Sequence, residues 1–293
     1  MIPSVQNPEP VLWRGLDEVP GDWPRCAVTI GVFDGVHRGH ARLIQQTREA
    51  ALRDHLPTVL VTFDPHPARV LGLPRDTAAL TTVDRRAELA HQLGVDAVCV
   101  LPFTRELAQV SAEEFVERVL VKALHTAKVV VGANFRFGRG GAGDITTLRR
   151  LAQQHGFLAE SVELLHSANL PCSSSYVRHC LAEGDVTAAA QALGRAHRID
   201  GLLTFNREVL TTEGTALPAP GIYHGRLGRE PNATDSEATE LEVTANSRLT
   251  AASTVRPRYP GEPVSVWFLD RITRESGMPQ PVGATAHASR STR

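Results

Sequence analysis

Short runs rich in β-branched residues alternate with longer stretches in which apolar positions recur every three or four residues. CAVTIGVF (26–33), TVLVTF (58–63), DAVCVLPF (96–103), KVVVGANF (128–135) and FLAESVELL (157–165) read as strands. Between them, residues 39–53, DRRAELAHQLG (84–94), AEEFVERVLVKAL (112–124) and DITTLRRLAQQHG (144–156) read as helices. Strands that alternate with helices imply right-handed crossovers and a parallel sheet covered on both faces. Ligands of such sheets sit beyond the carboxyl ends of the strands.

The pattern changes near residue 195. SYVRHCLAEG (175–184) and VTAAAQALG (186–194) read as short helices. RIDGLLTF (198–205), PGIYHGRL (220–227), TELEVTAN (239–246) and PVSVWFLDRI (263–272) then read as strands joined by turns. This predicts an α/β domain over 1–195 and a small barrel-like β domain over 196–277. The final stretch, 278–293, is small and polar and is expected to be disordered.

Composition narrows the function without naming it. The 293 residues carry a net charge of -1, with 42 % hydrophobic and 22 % charged residues. That balance offers no broad basic field for nucleic acid or an anionic membrane, so phosphate recognition must be local. No run of about 18 apolar residues exists to span a bilayer, and MIPSVQNPEP lacks a secretory pattern, so the cytoplasm is the expected location. Cys26, Cys99, Cys172 and Cys180 form no CxxC pair and are expected to be free, mostly buried thiols.

The candidate chemistry begins with VTIGVFDGVHRGH (28–40), where an apolar strand gives way to a helix. A helix start offers unpaired N–H groups and a positive dipole end to phosphate oxygens. His37 and His40 share a face there, and Gly39 leaves the backbone open to close approach. No GxxxxGK[ST] sequence occurs, which removes a P-loop. GRGGAG (138–143) matches a dinucleotide fingerprint, but GANFRF separates it from its strand, so hydride chemistry is disfavoured. Asp64 and His66, in TFDPHP, are too few for a metal site and read instead as a rigid pocket loop. SSSYVR (173–178) places three hydroxyls and Arg178 at a second helix start, which suits a polyphosphate but also an ordinary cap.

Taken together, TIGVFDGVHRGH, VTFDPHP, LTTVDRRAELAHQLGVD, FTRELAQVSAEEFVERVL, VVVGANFRFGRGGAGD and SSSYVRHCLAEGDVTAAAQALGR resemble the prokaryotic bifunctional riboflavin kinase/FMN adenylyltransferase family, also called FAD synthetase. The resemblance spans about residues 25–195. It implies a Rossmann-like nucleotidyltransferase domain with a parallel sheet, followed by a riboflavin-kinase-like β-barrel. The implied reaction is transfer of AMP from ATP to FMN, with FAD and pyrophosphate as products and Mg2+ accompanying the ATP; the protein ligands of the ion stay unknown. His37 and His40 match the family's HxGH motif and, with Arg178, would be catalytic. Gly31, Phe33, Asp34, Gly39, Asn134, Ser174 and Ser175 would contact the nucleotide, and Phe63, Pro65, His66 and Pro67 would lie near the flavin. Ser175 and Val177 replace the Thr and Ile of the family's Ser-Ser-Thr-x-Ile-Arg segment. ATP and FMN are thus the expected partners, without nucleic acid or membrane, and a homo-oligomer is left open.

The second domain departs from the family. GLLTFNREVLTTEGTALPAPG (201–221) lacks the Pro-Thr-Ala-Asn element, although PAPGIYHGRL and YPGEPVSVWFLDRITRE resemble later family segments. SRLTAASTVRPRYPG (247–261) holds no carboxylate to act as base, and Glu242 lies further back. The expectation is a degenerate kinase domain whose activity is lost. Two alternatives stay open: a nucleotidyltransferase for another nucleotide or a modified flavin, and a regulatory protein that binds a flavin or nucleotide without turnover.

Overall fold

The computed structural model describes residues 11–163, 166–167, 170–229 and 236–272; the polar tail expected over 278–293 lies outside them. Strands β1 (Val11–Trp13), β2 (Cys26–Ile30), β3 (Thr58–Asp64), β4 (Ala97–Pro102), β5 (Thr126–Gly132) and β6 (Leu158–Val162) form one sheet. Its order is β1-β4-β3-β2-β5-β6, and every pairing is parallel. All five residues of β2 are buried, as are Val59, Leu60 and Val61 of β3. Burial on both faces explains why these strands read as continuous apolar runs instead of alternating ones.

Helices α1 (Arg38–Leu52), α2 (Pro67–Val70), α3 (Val83–Gln92), α4 (Ala112–Phe115) and α5 (Ile145–His155) cover the sheet. The chain of α4 continues over Val116–Ala123 in wider, π-helical turns, which the 3.6-residue pattern did not distinguish from an ordinary helix. Side-chain caps start the helices where the sequence supplies them: Thr82 accepts from Arg85 N–H, Ser111 from Glu114 N–H, and Asp144 from Thr147 N–H. Strand β1 was missed because three residues behind a proline-rich lead-in carry too little pattern; it adds in parallel to β4.

A small hairpin, β7 (His166–Ser167) and β8 (Leu170–Pro171), precedes helices α6 (Ser174–Glu183) and α7 (Val186–Leu193). The chain then enters β9 (His197–Leu203), β10 (Glu208–Leu210), β11 (Gly221–Gly228), β12 (Ser236–Val243), β13 (Leu249–Ala251) and β14 (Glu262–Arg271). These close a barrel in the order β10-β13-β12-β11-β14-β9. The sequence revealed four of its six strands; β10 and β13 are three residues each and too short to show a period.

The barrel is not a separate bead. Val177, Leu181, Ala189 and Leu193 of α6 and α7 share one apolar core with Tyr223, Leu241, Val266 and Phe268 of the barrel. Leu80, from the segment ahead of α3, enters the same core. Beside it the backbones of Ala79 and Thr215 pair in parallel, with Ala79 N–H donating to Gly214 O at 2.7 Å and Ala216 N–H to Ala79 O at 2.9 Å. Because Leu80 is only 2 % exposed, Leu80→Ala is expected to cost about 2–5 kcal/mol. Calorimetry should show one lowered transition for the whole chain; two transitions, with one unmoved, would contradict the shared core.

Candidate active site

The strand order reverses between β2 and β5, so the loops that follow them flank a crevice at the carboxyl edge of the sheet. The β2 loop carries Gly31 to His37, and the β5 loop carries Asn134, which is exposed. The β2 loop is tightly wound: Phe33, Gly35 and Val36 have φ of 51°, 79° and 39°. Left-handed backbone at Phe33 and Val36 costs of order 1–3 kcal/mol each and persists only where the surroundings hold it.

His37 ends this turn and caps α1, its Nδ1 accepting from the His40 N–H at 3.3 Å. The two rings stack with centroids 3.6 Å apart and planes at 21°. The pair therefore combines the capping role and the shared face that the spacing allowed. His37 is 6 % exposed. Burial, reinforced by Arg195, holds its pKa down to about 4. Burial, then His37, holds His40 well below the usual value. Both rings are thus neutral near pH 7 in the free protein. With Nδ1 of His37 accepting, its proton sits on Nε2. The Nδ1 of His40 is buried and has no partner among the described residues, a polar atom that a ligand group would satisfy.

Asp34 organises the ground beneath. It is 3 % exposed, and its carboxylate accepts from the N–H groups of Leu80 and Thr81, each at 3.1 Å. The Arg178 guanidinium lies 2.5 Å from it and that of Arg86 3.8 Å. Arg178 also donates through Nε to Ala78 O at 2.7 Å, and Ser174 Oγ donates to Asp34 O at 2.8 Å. Three of the expected residues are engaged inside the chain. Phe33 is fully buried beneath His40, their ring centroids 4.9 Å apart, and supports the pair. Asp34 meets internal donors. Arg178, 5 % exposed and paired with Asp34, tethers α6 to the β2 loop.

The remaining expected residues divide between open and occupied positions. Ser175, in the first turn of α6, is exposed and faces no partner among the described hydrogen bonds. Ser173 supplies the cap of that helix. A Cβ on Gly39 would lie 3.1 Å from Cys172 O and from the His37 ring, so the close approach it permits is made by the chain itself. Gly31 donates to Val61 O at 3.1 Å, joining the loop to β3. The GRGGAG glycines form a turn against α4, where a Cβ on Gly138 would meet the Ala112 nitrogen at 2.7 Å. That is a packing role, in keeping with its distance from the strand.

The TFDPHP segment ends β3 and starts α2. Phe63 packs edge-on against Phe103, with centroids 5.7 Å apart. His66 caps α2, its Nδ1 accepting from Ala68 N–H at 3.1 Å, and Pro67 takes the first helical position. Asp64, Pro65 and His66 line a cavity of about 430 Å³ that Arg198, Ile199 and Asp200 of the barrel also line. Arg86, 5 % exposed, also lines it. Its Nη1 donates to Thr62 Oγ1 at 2.9 Å, while its Nε has no partner among the described residues. Sequence reading missed Arg86 because DRRAELA looks like a solvated helix start. The available signal was its place on the buried stripe with Ala87, Leu89 and Ala90.

Among the described residues no group of three or more His, Cys, Asp or Glu side chains is placed to hold a metal. All four cysteines are unpaired, three of them buried. No helix among the described residues is long and apolar enough to cross a membrane.

The chain is similar to known proteins. A family model described as FAD synthetase matches residues 19–176. The bifunctional riboflavin kinase/FMN adenylyltransferase of Pseudomonas fluorescens is 36 % identical over 222 residues, covering 72 % of this chain and 71 % of that protein. Its counterpart in Escherichia coli (strain K12) is 33 % identical, covering 68 % and 66 %. That of Listeria monocytogenes is 35 % identical, covering 67 % and 66 %. A crystal structure titled as a macrolide-efflux protein from Streptococcus pneumoniae superposes with a TM-score of 0.76 over 93 % of both chains; at 22 % identity it shares the fold.

Two measurements check the electrostatics. Asp34→Asn strands the buried Arg178 and Arg86 guanidiniums and should destabilise by about 3–5 kcal/mol in urea unfolding; a change below about 1 kcal/mol would contradict the hub. His37 and His197 are both held near 4 by burial. Below the unfolded value of about 6.5 the unfolded chain takes up protons that the folded rings refuse, so stability is full above that pH and falls toward pH 4. Each ring contributes a slope of about 1.4 kcal/mol per pH unit. A flat urea midpoint from pH 6.5 to 4.5 would contradict neutral buried rings.

Proposed function

We propose, from the premise that this chain belongs to the FAD synthetase family, that it transfers the AMP group of ATP to the phosphate of FMN, releasing pyrophosphate. It is an enzyme, a nucleotidyltransferase. The observation that supports the reading most is the stacked His37–His40 pair at the carboxyl edge of β2, beside the strand-order reversal. An FMN phosphate oxygen attacks the α-phosphorus, and the bond from that phosphorus to the α,β-bridging oxygen breaks. The substrate supplies its own nucleophile, so the protein contributes alignment and donors for the charge that shifts onto the leaving oxygens. His37 offers a neutral Nε2–H, and His40 an imidazole with an unsatisfied nitrogen. Rings that stay neutral in the free protein gain proton affinity once a polyanion lies against them, so donors and charge arrive together with the ATP.

Mg2+ would enter with the nucleotide and would supply charge neutralisation to the polyphosphate; among the described residues no group of three or more His, Cys, Asp or Glu side chains is placed to hold it. Asn134 and Ser175 are the exposed expected residues that remain open to the nucleotide. Asp64, Pro65 and His66, on the cavity wall, are the flavin-side candidates together with Phe63 and Pro67.

We further propose that riboflavin kinase activity is lost. Glu262, the carboxylate nearest the YPG turn, is 2 % exposed and held by Arg229 at 2.8 Å and by the Arg258 N–H at 2.8 Å, which leaves it unsuited to act as a base. With Mg2+ and ATP, the protein should convert FMN to FAD and leave riboflavin unphosphorylated, as resolved by chromatography. FMN formed from riboflavin would overturn the loss and direct attention to Glu242, which lines a separate cavity of about 310 Å³ on the barrel. Preference for another nucleotide over ATP would move the assignment to a related transferase. His37→Ala or His40→Ala should each lower kcat by about 10²- to 10³-fold; unchanged turnover would remove the pair from the chemistry.

A further inference from the structure

Arg195 is the last residue of the SSSYVRHCLAEGDVTAAAQALGR segment, to which no role has been given above, and stands between α7 and the first barrel strand. Its guanidinium reaches back to the β2 loop. Nη2 donates to the carbonyl of Gly35, and Nη1 donates to Val36 O at 3.0 Å and to Leu193 O at 3.2 Å. Gly35 and Val36 are the last two residues before His37, and both hold positive φ. A planar fork that grips two successive carbonyls fixes their orientation in a way that a point charge on a flexible stem does not.

The origin of the fork is equally well fixed. Helix α7 ends at Gly194 in the left-handed conformation, with the N–H groups of Gly194 and Arg195 both donating to Ala190 O. The helix packs on the barrel through Ala189, Ala192 and Leu193. Burial lowers the Arg195 pKa to about 10, which leaves it cationic at neutral pH. No carboxylate pairs with it among the described residues, so its hydrogen bonds go to backbone carbonyls. A mechanical line thus runs from barrel to α7, from α7 to Arg195, and from Arg195 to the strained turn that presents His37.

We propose that Arg195 is a positioning residue for the His37–His40 pair, through which the docked barrel holds the 33–36 turn in its left-handed path. This rests on the adenylyltransferase reading above and adds a role for a barrel without kinase chemistry.

The test uses the full chain with Arg195→Lys, Arg195→Met and, as a control, Arg271→Met. Arg271 also ties a helix to the barrel through two carbonyls, donating to Glu183 O at 3.0 Å and Pro220 O at 2.9 Å, but on the α6 side. Both Arg195 variants should lose about 10- to 100-fold in kcat with KM for ATP little changed, because a misplaced group costs turnover more than binding. The control should retain its kcat. NMR titration of the His37 ring supplies a readout independent of turnover. The charged and titratable groups that face it are Arg195, Asp34, Arg178 and His40. Its midpoint should rise in Arg195→Met, which removes a cation, and stay near the wild-type value in Arg195→Lys. Wild-type kcat in Arg195→Lys, an equal loss in Arg271→Met, or an unmoved His37 midpoint in Arg195→Met would each overturn the proposal. Absence of AMP transfer by the wild-type chain would defeat the reading of function instead, leaving the His37 titration to judge Arg195.

Discussion

A single buried carboxylate sets the geometry of the site. Asp34 sits under the β2 loop with two guanidiniums and two backbone N–H groups directed at it, and those donors come from α6, α3 and the 80–81 segment. Burying three charges carries a desolvation cost that an apolar cluster would avoid, so the network is a poor way to gain stability. What it provides is position: the β2 loop, the 80–86 stretch and α6, distant in sequence, must converge before the charges are satisfied. The left-handed turn from Phe33 to Val36 is then pinned from below by Asp34 and from the side by Arg195.

The pinning matters because of where the turn lies. At a strand-order reversal the two flanking loops part and leave a crevice, and here one loop ends in the stacked imidazoles while the other carries Asn134. Rings packed against Phe33 and each other stay neutral, which avoids repulsion between two neighbouring cations. The barrel fits the same logic. Its core is continuous with α6, α7 and Leu80, so its docking reaches the site through packed side chains.

Much of this was legible in the sequence, for reasons that particular residues make plain. Strands β2 to β6 were readable because double burial writes long β-branched runs, and His37 and His40 because two imidazoles at a strand-to-helix change are chemically conspicuous. What stayed hidden was direction. Phe33, Asp34 and Arg178 lie in the right motifs, yet their side chains turn inward, and no spacing rule tells a buried guanidinium from one that faces a phosphate. Arg86 and Arg195 were overlooked for the converse reason: an arginine in a charged helix start or a linker reads as solvated until tertiary contacts bury it. Strands β1, β10 and β13 were lost to brevity.

A crystal structure of the protein with a non-hydrolysable ATP analogue and FMN tests most directly whether the imidazole pair meets the polyphosphate. The expected result is phosphate oxygens within hydrogen-bond reach of His37 or His40, the side chain of Asn134 on the nucleotide, and Arg178 still paired with Asp34. A polyphosphate seated instead in the cavity between Arg86 and Arg198, away from both rings, would contradict it.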